Sequence, residues 1–490
     1  HFPLETGDRA GRVFVTLSAG GPGCNISSLA WGTAIPPKRN PVLDIAICTF
    51  NNERFLEPNL EKLIDLSKRA SIGKIWLVNQ GVAFKKSRLC RLITDHINTV
   101  VVIEQANLGG AGGFSRAMYE FFLSEQGDFI LLMDDDVHVE TIHIETAIAF
   151  IAYAIDDCCL GGQMIDALRP DRMSEGGVKV RPDNSIEQHF LDLDLQEQRA
   201  LARLGNVPEI DYNPWWFCVI PRVAIERSGL PLPIFIRHDD MEFGYRSKIA
   251  GIASINLPPV SIRHSPFYAR ASRWQEYYDV RNRLLIASIY NESLRLDPPR
   301  HLLARALVHI IRYDYEKAAL LIAAVQDYLR PREDFQGAGP ELHSKVTQLS
   351  AAAPSPVWSD RTATSDGPKI ESRHQHGGSA RLHLAWETLR NFIGFGLAPH
   401  EPVAWARTED GAASTGRPLP NAYFTIVPVT HKLLVFTYNK AAARRLLAAA
   451  LLVVADYALN RRRAANTWRR AHRRMASFEG WNEAFARNAR

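Results

Sequence analysis

The run Phe129-Ile130-Leu131-Leu132-Met133 leads without a polar break into Asp134-Asp135-Asp136. A strand with apolar residues at successive positions must be covered on both faces, as an interior strand of a parallel sheet is by flanking helices. This directs the chain toward a layered α/β fold. It also puts the acids at the carboxyl edge of the sheet, where open α/β sheets bind ligands. Three adjacent carboxylates repel one another and favour a cation as partner. Hard oxygen donors on a short loop suit Mg2+ or Mn2+, held by one or two carboxylates together with substrate phosphates. A solvated acidic turn after a core strand would leave the same trace, so the surrounding sequence has to decide.

From Pro41 onward the theme recurs. Val42 to Phe50 reads as a buried strand, residues 55–70 carry Leu56, Leu60, Leu63, Ile64 and Leu66 at helical spacing, and Ile75 to Val78 and Val100 to Ile103 read as further buried strands. Strand, helix, strand, helix, strand with short loops is the doubly wound plan, with its crevice at the strand exits. Those exits are Thr49-Phe50-Asn51, Asn79-Gln80-Gly81 and the loop Asn107-Leu108-Gly109-Gly110-Ala111-Gly112-Gly113. The glycine loop lets backbone approach a ligand and opens a helix expected over 114–124, whose N-terminus favours an anion. It is neither the dinucleotide fingerprint nor a P-loop, since no Gly-Lys-Ser/Thr follows.

Farther along, residues 142–154 read as a helix, 160–165 as a strand and 166–210 as polar and irregular. Trp215-Trp216 follows Asn213-Pro214; adjacent extended residues point to opposite faces, so one ring is placed to line a cleft as a flat surface for a sugar, with burial of both in the core as the alternative. A second apolar segment, Pro233 to Ile236, is read as a strand running through Arg237-His238 into Asp239-Asp240-Met241-Glu242, with a helix directly behind it whose dipole stabilises ionised acids. Val260-Ser261-Ile262-Arg263 delivers His264 to another strand exit, as a third ligand beside the acid triplet. Residues 274–330 are helical, 331–382 read as a poorly ordered connector, and the tail from 383 is read as helical.

The chain of 490 residues is 46% hydrophobic and 23% charged, enough for two or three domains of a soluble globular kind. The expected division is a short β segment over 1–40, a catalytic domain over 41–290, a helical extension over 291–330, the connector, and a basic helical region over 383–490. Six cysteines make no CxxC pair and no Cys/His metal spacing, which fits reduced thiols in a cytoplasmic protein. No secretory leader is visible. The apolar run 446–455 is about half the length of a spanning helix. Arginine blocks at 461–463, 469–470 and 473–474 flank it on one side and Arg444-Arg445 on the other. That alternation suits a helix resting on an anionic membrane, or one packed on the catalytic domain or on a second copy of the chain.

The order of these features resembles the GT-A fold of glycosyltransferase family 2, the inverting enzymes that use nucleotide-sugar donors. Residues 105–114, Met133-Asp134-Asp135-Asp136, Gly161-Gly162-Gln163-Met164, Asp211-Tyr212-Asn213-Pro214-Trp215-Trp216 and Arg281-Asn282-Arg283 look like the galactofuranosyltransferases that polymerise cell-wall galactan from UDP-galactofuranose. The likeness covers roughly residues 40–330. It implies that Asp134, Asp136 and His264 hold a divalent metal, that Asn107 contacts the donor and that Asp240 is the general base. The chain departs from the family at His238, where Trp is usual, at Asn79, where an Asp near the uracil is usual, and at Asn52, where Arg often stands.

Glycosyl transfer from a diphosphate needs a Lewis acid on the leaving group and a base for the acceptor hydroxyl, and two separate acidic exits match these two jobs. Thr49, Asn79, Asn107, Gly109, Gly110, Asp134 and Asp135 are then expected at the UDP-sugar. Asp239 and Asp240 fall at the reacting centre, and Trp215, Trp216 and His238 at a glycan or lipid-linked acceptor. A rhamnosyl donor is the alternative within the family. An Asp-nucleophile phosphotransferase is disfavoured because Val137-His138 follows the acids, where those folds need a small hydroxylic residue. A membrane-surface or nucleic-acid scaffold leaves the acidic strand exits unexplained, and no nucleic-acid partner is expected.

Overall fold

The computed structural model describes residue 25 and residues 33–84, 88–266, 272–331, 339–362, 403–404, 422–426 and 432–488. Its first elements are β1 (Leu43–Thr49), α1 (Glu53–Ser67), β2 (Ile72–Asn79), α2 (Arg88–Asp95), β3 (Val100–Glu104), α3 (Gly109–Ser124) and β4 (Phe129–Asp134). The strands lie in the order β3-β2-β1-β4, all parallel, and β1, β4 and the inner half of β2 are buried along their length, with Asp44 of β1 accepting from Trp76 Nε1 at 2.7 Å. Register aligns Thr49 with Asn79, Asn79 with Glu104 and Cys48 with Asp134, so the strand exits form one row.

The sheet continues through β5 (His138–Val139), α4 (Thr141–Tyr153), β6 (Cys158–Asp166), β7 (Arg172–Glu175), β8 (Val178–Val180), β9 (Ile186–Gln188), β10 (Leu193–Asp194), α5 (Gln198–Ala202), β11 (Phe217–Pro221), α6 (Arg222–Ser228), α7 (Asp239–Ile249) and β12 (Ala253–His264). Here β11 runs antiparallel between β4 and β6, and β12 runs parallel to β6. The result is a mixed, centrally parallel α/β sheet, the fold class the sequence implied. The two-residue strand β5 pairs Val139 with Ile262 and His138 with Arg263. That short pairing ties the chain just past the acid triplet to the residue preceding His264.

The rest of the chain is α8 (Gln275–Ile289), α9 (Pro299–Ile311), α10 (Tyr315–Tyr328), α11 (Pro340–Ala352), four strands β13 (Val357–Thr362), β14 (Val403–Ala404), β15 (Ala422–Ile426) and β16 (Lys432–Thr437) in a second sheet, then α12 (Lys440–Met475) and α13 (Phe478–Arg487). Asn439 and Ser477 cap the last two helices through bonds from Ala442 N and Gly480 N. Helix α12 buries Leu446, Ala450, Val453, Tyr457, Ala464, Trp468 and Met475, one stripe at helical spacing, against α8, α9 and α10. Tyr457 Oη donates to the Asp297 carbonyl at 2.7 Å and Trp468 Nε1 to the Tyr328 carbonyl at 2.9 Å. The apolar run of the tail is thus packed within the chain on one side, while Leu451, Leu452 and Leu459 remain exposed on the other. No described helix is long and apolar enough to cross a membrane.

Helix α13 returns to the first half of the fold. Phe478 packs on Tyr119 and Phe122, Phe485 meets Tyr119 edge-on, and Arg116 lies over the Phe485 ring. Trp481, buried, donates Nε1 to the Pro231 carbonyl at 2.7 Å, and Ala106 N donates to the Asn488 carbonyl at 3.2 Å.

Between α8 and α9, buried Glu276 accepts from Arg305 Nε at 2.8 Å and from His309 Nε2 at 3.0 Å. Burial alone would raise its pKa, but these donors win and hold it at about 2. Burial pushes the His309 pKa down, and Arg305 is the permanent charge partner. A depressed carboxylate pKa stabilises the fold above the unfolded value of 4.5 and loses that contribution as pH falls toward 2. Glu276→Gln is expected to destabilise the protein by about 2–3 kcal/mol at neutral pH, with the deficit shrinking between pH 4.5 and 2; chemical denaturation at several pH values checks both the size and the sign.

Several local expectations are corrected. Helix α3 begins at Gly109 rather than at 114, taking the glycines into its first turn, because Asn107 Oδ1 accepts from Gly109 N and the Phe235 carbonyl accepts from Ala111 N. The stretch 166–210 holds four short strands and a helix. Residues 233–238 are a buried loop and not a strand, for reasons visible at the site below. The connector contains α11 and β13, and strands β14, β15 and β16 precede the helices of the tail. Of the β segment expected over 1–40, and of the parts 332–338 and 363–402, nearly all lies outside the described residues.

Candidate active site

Where β4 ends the chain turns, and the three carboxylates part company. Asp135 turns inward, accepting from Thr49 Oγ1 at 2.7 Å and Asn52 Nδ2 at 2.8 Å, while Asn59 Nδ2 holds the carbonyls of Asp135 and Val137. Asp134 and Asp136 face the end of β12 instead. His264 Nε2 lies 3.0 Å from Asp136 Oδ1 and 3.8 Å from Asp134 Oδ2, and one donor atom from each of the three residues lies within 4.8 Å of the others. Asp136 and His264 are buried, Asp134 is partly open, and His264 Nδ1 is buried without a hydrogen-bond partner. Two carboxylates and an imidazole Nε2 converging at ligand spacing fit a divalent cation.

The row of strand exits stands beside this cluster. Asn79 Nδ2 donates to both oxygens of Glu104 at 3.0 Å and its Oδ1 accepts from Gly81 N, so its amide is largely engaged within the row. Gln80 braces the glycine helix: its Nε2 donates to the Gly109 carbonyl at 2.9 Å and its Oε1 accepts from Leu108 N and Gln105 Nε2. Gly109 is required by its positive φ of 71° and because a side chain there would overlap the Phe235 carbonyl. A Cβ on Gly110 would lie 3.5 Å from Asp239 Oδ2, so the first turn of α3 already faces a carboxylate.

That carboxylate opens α7, reached through a loop in which Phe235, Arg237 and His238 all have left-handed backbone, with φ of 73°, 71° and 65°. Such a loop persists only if its surroundings hold it. Asn282 of α8 does so, its Nδ2 lying 3.2, 2.9 and 3.0 Å from the carbonyls of Ile234, Ile236 and Arg237. Arg237 Nε donates to Asp279 at 2.8 Å, and His238 Nε2 stands 3.3 Å from the same carboxylate. Burial would raise the Asp279 pKa, yet His238 and Arg237 hold it well below the usual carboxylate range.

Asp239 is buried and Asp240 half-buried at the start of α7. Burial raises the pKa of both; the charge of Asp240 and then of Asp134 pushes Asp239 further up, whereas His238 and Arg237 pull Asp240 back down. Asp239 lies against the first turn of α3, and Gly113 of that helix packs on Cys48, the register partner of Asp134, so the two acidic sites stand at the same edge of the sheet. Glu242 is turned away from the helix N-terminus, toward Arg246 and Tyr290. It is fully buried, paired with Arg246 at 2.9 Å and accepting from Tyr290 Oη at 2.6 Å, so its role is to anchor α7.

Neither tryptophan offers an exposed ring. Trp215 is 5% exposed and wedged edge-on between Phe114 and Phe243; Trp216 is 3% exposed in the core on the other side of the sheet, with Nε1 lacking a partner. The expectation of a flat sugar platform is corrected to core packing at Trp215, and at Trp216 only the buried indole N–H remains unused. Sequence reasoning passed over Glu175. It ends β7, one oxygen accepting from Gln188 and the other buried without a partner, and burial pushes its pKa up to about 7, with the charge of Asp240 adding to the shift. Only a strand boundary inside a stretch read as irregular could have flagged it.

No protein-family model matches the chain. Among curated proteins it is 30% identical over 364 residues to galactofuranosyltransferase GlfT2 of Mycolicibacterium smegmatis, covering 70% of this chain and 56% of that protein. It is 28% identical over 363 residues to galactofuranosyltransferase GlfT2 of Mycobacterium tuberculosis, covering 67% and 54%. The chain is a homologue of the galactofuranosyltransferases. It spans about half the length of these curated relatives. Solved structures similar to this galactofuranosyltransferase homologue include GalNAc-T7 with UDP, GalNAc and Mn2+, at 14% identity and a TM-score of 0.40 over 52% of this chain and 48% of that one. A mannosyltransferase from Pyrobaculum calidifontis with GDP-Man and Mn2+ stands at 15% and 0.37 over 66% and 84%.

Proposed function

We propose that the protein transfers galactofuranose, with inversion, from UDP-galactofuranose to a hydroxyl of a growing or lipid-linked glycan. The observation that supports this is the presence, at one edge of the sheet of a galactofuranosyltransferase homologue, of the Asp134–Asp136–His264 cluster and of the Asp239–Asp240 turn against the first turn of α3. A divalent cation at the cluster, Mn2+ or Mg2+, supplies Lewis-acid stabilisation of the departing UDP phosphates. The residues do the rest. Asp240 accepts the acceptor hydroxyl proton as the new C–O bond forms and the bond to phosphate breaks. Thr49, Asn52 and Asp135 form a hydrogen-bonded rim for the nucleoside. Asn107, Gly109 and Gly110 present the α3 turn to the donor, and His238 borders the acceptor side. Asp239, held partly neutral, orients donor or acceptor hydroxyls. The exposed Leu451, Leu452 and Leu459 beside the arginine blocks support peripheral seating on an anionic membrane, or burial in a homo-oligomer.

A panel of UDP- and dTDP-sugars, assayed with and without Mn2+ for transfer and slow hydrolysis, tests the donor. Metal-dependent turnover of UDP-galactofuranose above the other sugars is the expected result. Turnover of dTDP-rhamnose in its place would overturn the donor and keep the reaction class.

A further inference from the structure

The helical half of the chain holds a cavity of about 870 Å³, within the range of roughly 300–1,000 Å³ typical of small-molecule sites. Its walls are the end of α8, the loop into α9, the hairpin turn between β8 and β9, and the middle of α12. Six arginines line it: Arg283, Arg295, Arg300, Arg461, Arg462 and Arg469. The acids in the lining are Asp183 and Asp297, so six positive charges face two negative ones. Asp297 is partly engaged already, 3.8 Å from Arg283 Nη2, and its carbonyl receives Tyr457 Oη.

Like charges brought together around a concavity repel, and the concavity focuses their field. Some of these side chains also make structural contacts, Arg461 with the Asp297 carbonyl and Arg469 with Asn466, but only an anion in the concavity would relieve the mutual repulsion. Two details point to an occupant. Among the described residues Arg295, Arg300, Arg461, Arg462 and Arg469 make no ion pair, and Arg283 reaches only Asp297 at 3.8 Å, so most of this charge is left for an anion to meet. The start of α9 also opens on the cavity through Pro298, Arg300 and His301, adding the partial positive charge of a helix N-terminus. Arginine in place of lysine favours planar, bidentate recognition, which is the geometry of phosphate oxygens.

We propose that this cavity is a binding site for a phosphate-bearing anion, separate from the acidic cleft and independent of the transfer reaction. The size and charge fit a diphosphate or a phospholipid headgroup, and the two share the chemistry the arginines recognise. Binding is measured by calorimetry with inorganic pyrophosphate in EDTA, where the acidic cleft repels the probe, and by sedimentation with phosphatidylglycerol vesicles in the same buffer. The comparison variant is Arg300→Gln with Arg462→Gln, two exposed side chains outside the acidic cleft, with the thermal midpoint monitored to confirm folding. Pyrophosphate binding weakened about tenfold or more in the variant supports a site for a soluble diphosphate. Vesicle binding alone, lost to the same degree in the variant, supports a lipid headgroup. Absence of both, or binding by the folded variant equal to that of the parent protein, overturns the proposal.

Discussion

Asp136→Ala and His264→Ala are each expected to reduce transfer to background and to weaken Mn2+-dependent UDP binding about a hundredfold or more. Asp136 sits in the turn after β4 and His264 at the end of β12, and the short β5–β12 pairing helps bring them to 3.0 Å. Removing either leaves the other buried with its polar atoms uncompensated, so stability must be followed in parallel by thermal unfolding. Asp135→Asn separates the roles. Its carboxylate is spent on Thr49 and Asn52, so that variant should keep metal dependence while losing nucleotide affinity. Full metal dependence of UDP binding in folded Asp136→Ala or His264→Ala would show that the cation binds elsewhere.

Asp240→Asn is expected to lower the transfer rate by roughly two to four orders of magnitude, the usual contribution of a positioned base, while metal-dependent UDP binding persists. A base must be ionised at working pH, and the environments of the two aspartates differ in that respect. Asp239 is pressed toward neutrality by burial, by Asp240 and by Asp134, whereas His238 and Arg237 draw Asp240 back toward ionisation. Asp239→Asn should therefore raise the apparent KM along with lowering kcat, as the loss of an orienting hydrogen bond does. Near-normal turnover of Asp240→Asn together with collapse of Asp239→Asn would reverse the assignment.

The parts of this architecture legible in the sequence are those fixed by short-range patterns. The apolar runs 45–48 and 129–133 read as covered strands, and the exits they end on carry Thr49 and the acid triplet. What was not legible depends on partners distant in sequence. The apolar segment 233–236 looks like a strand by periodicity; its burial comes from docking under α8, where Asn282 satisfies carbonyls that a sheet would otherwise have satisfied. The inward turn of Asp135 requires Thr49 and Asn52 from another unit of the fold, so the three acids look equivalent along the chain and are not in space. Aromatic identity at 215 and 216 signals a large buried area without saying which wall receives it. Glu175 lies among polar residues, where one more acid attracts no notice until its burial is seen.

The seat of α13 on α3 has a consequence for biosynthesis. The aromatic face formed by Tyr119 and Phe122 belongs to the helix that carries the glycine turn, yet its cover, Phe478 and Phe485, is translated more than three hundred and fifty residues later. At ribosomal rates of about 5–20 residues per second, the nascent α/β unit waits roughly twenty seconds or more with that patch bare. A half-made molecule therefore exposes that aromatic patch, and the donor edge of the cleft is secured only once α13 has been made.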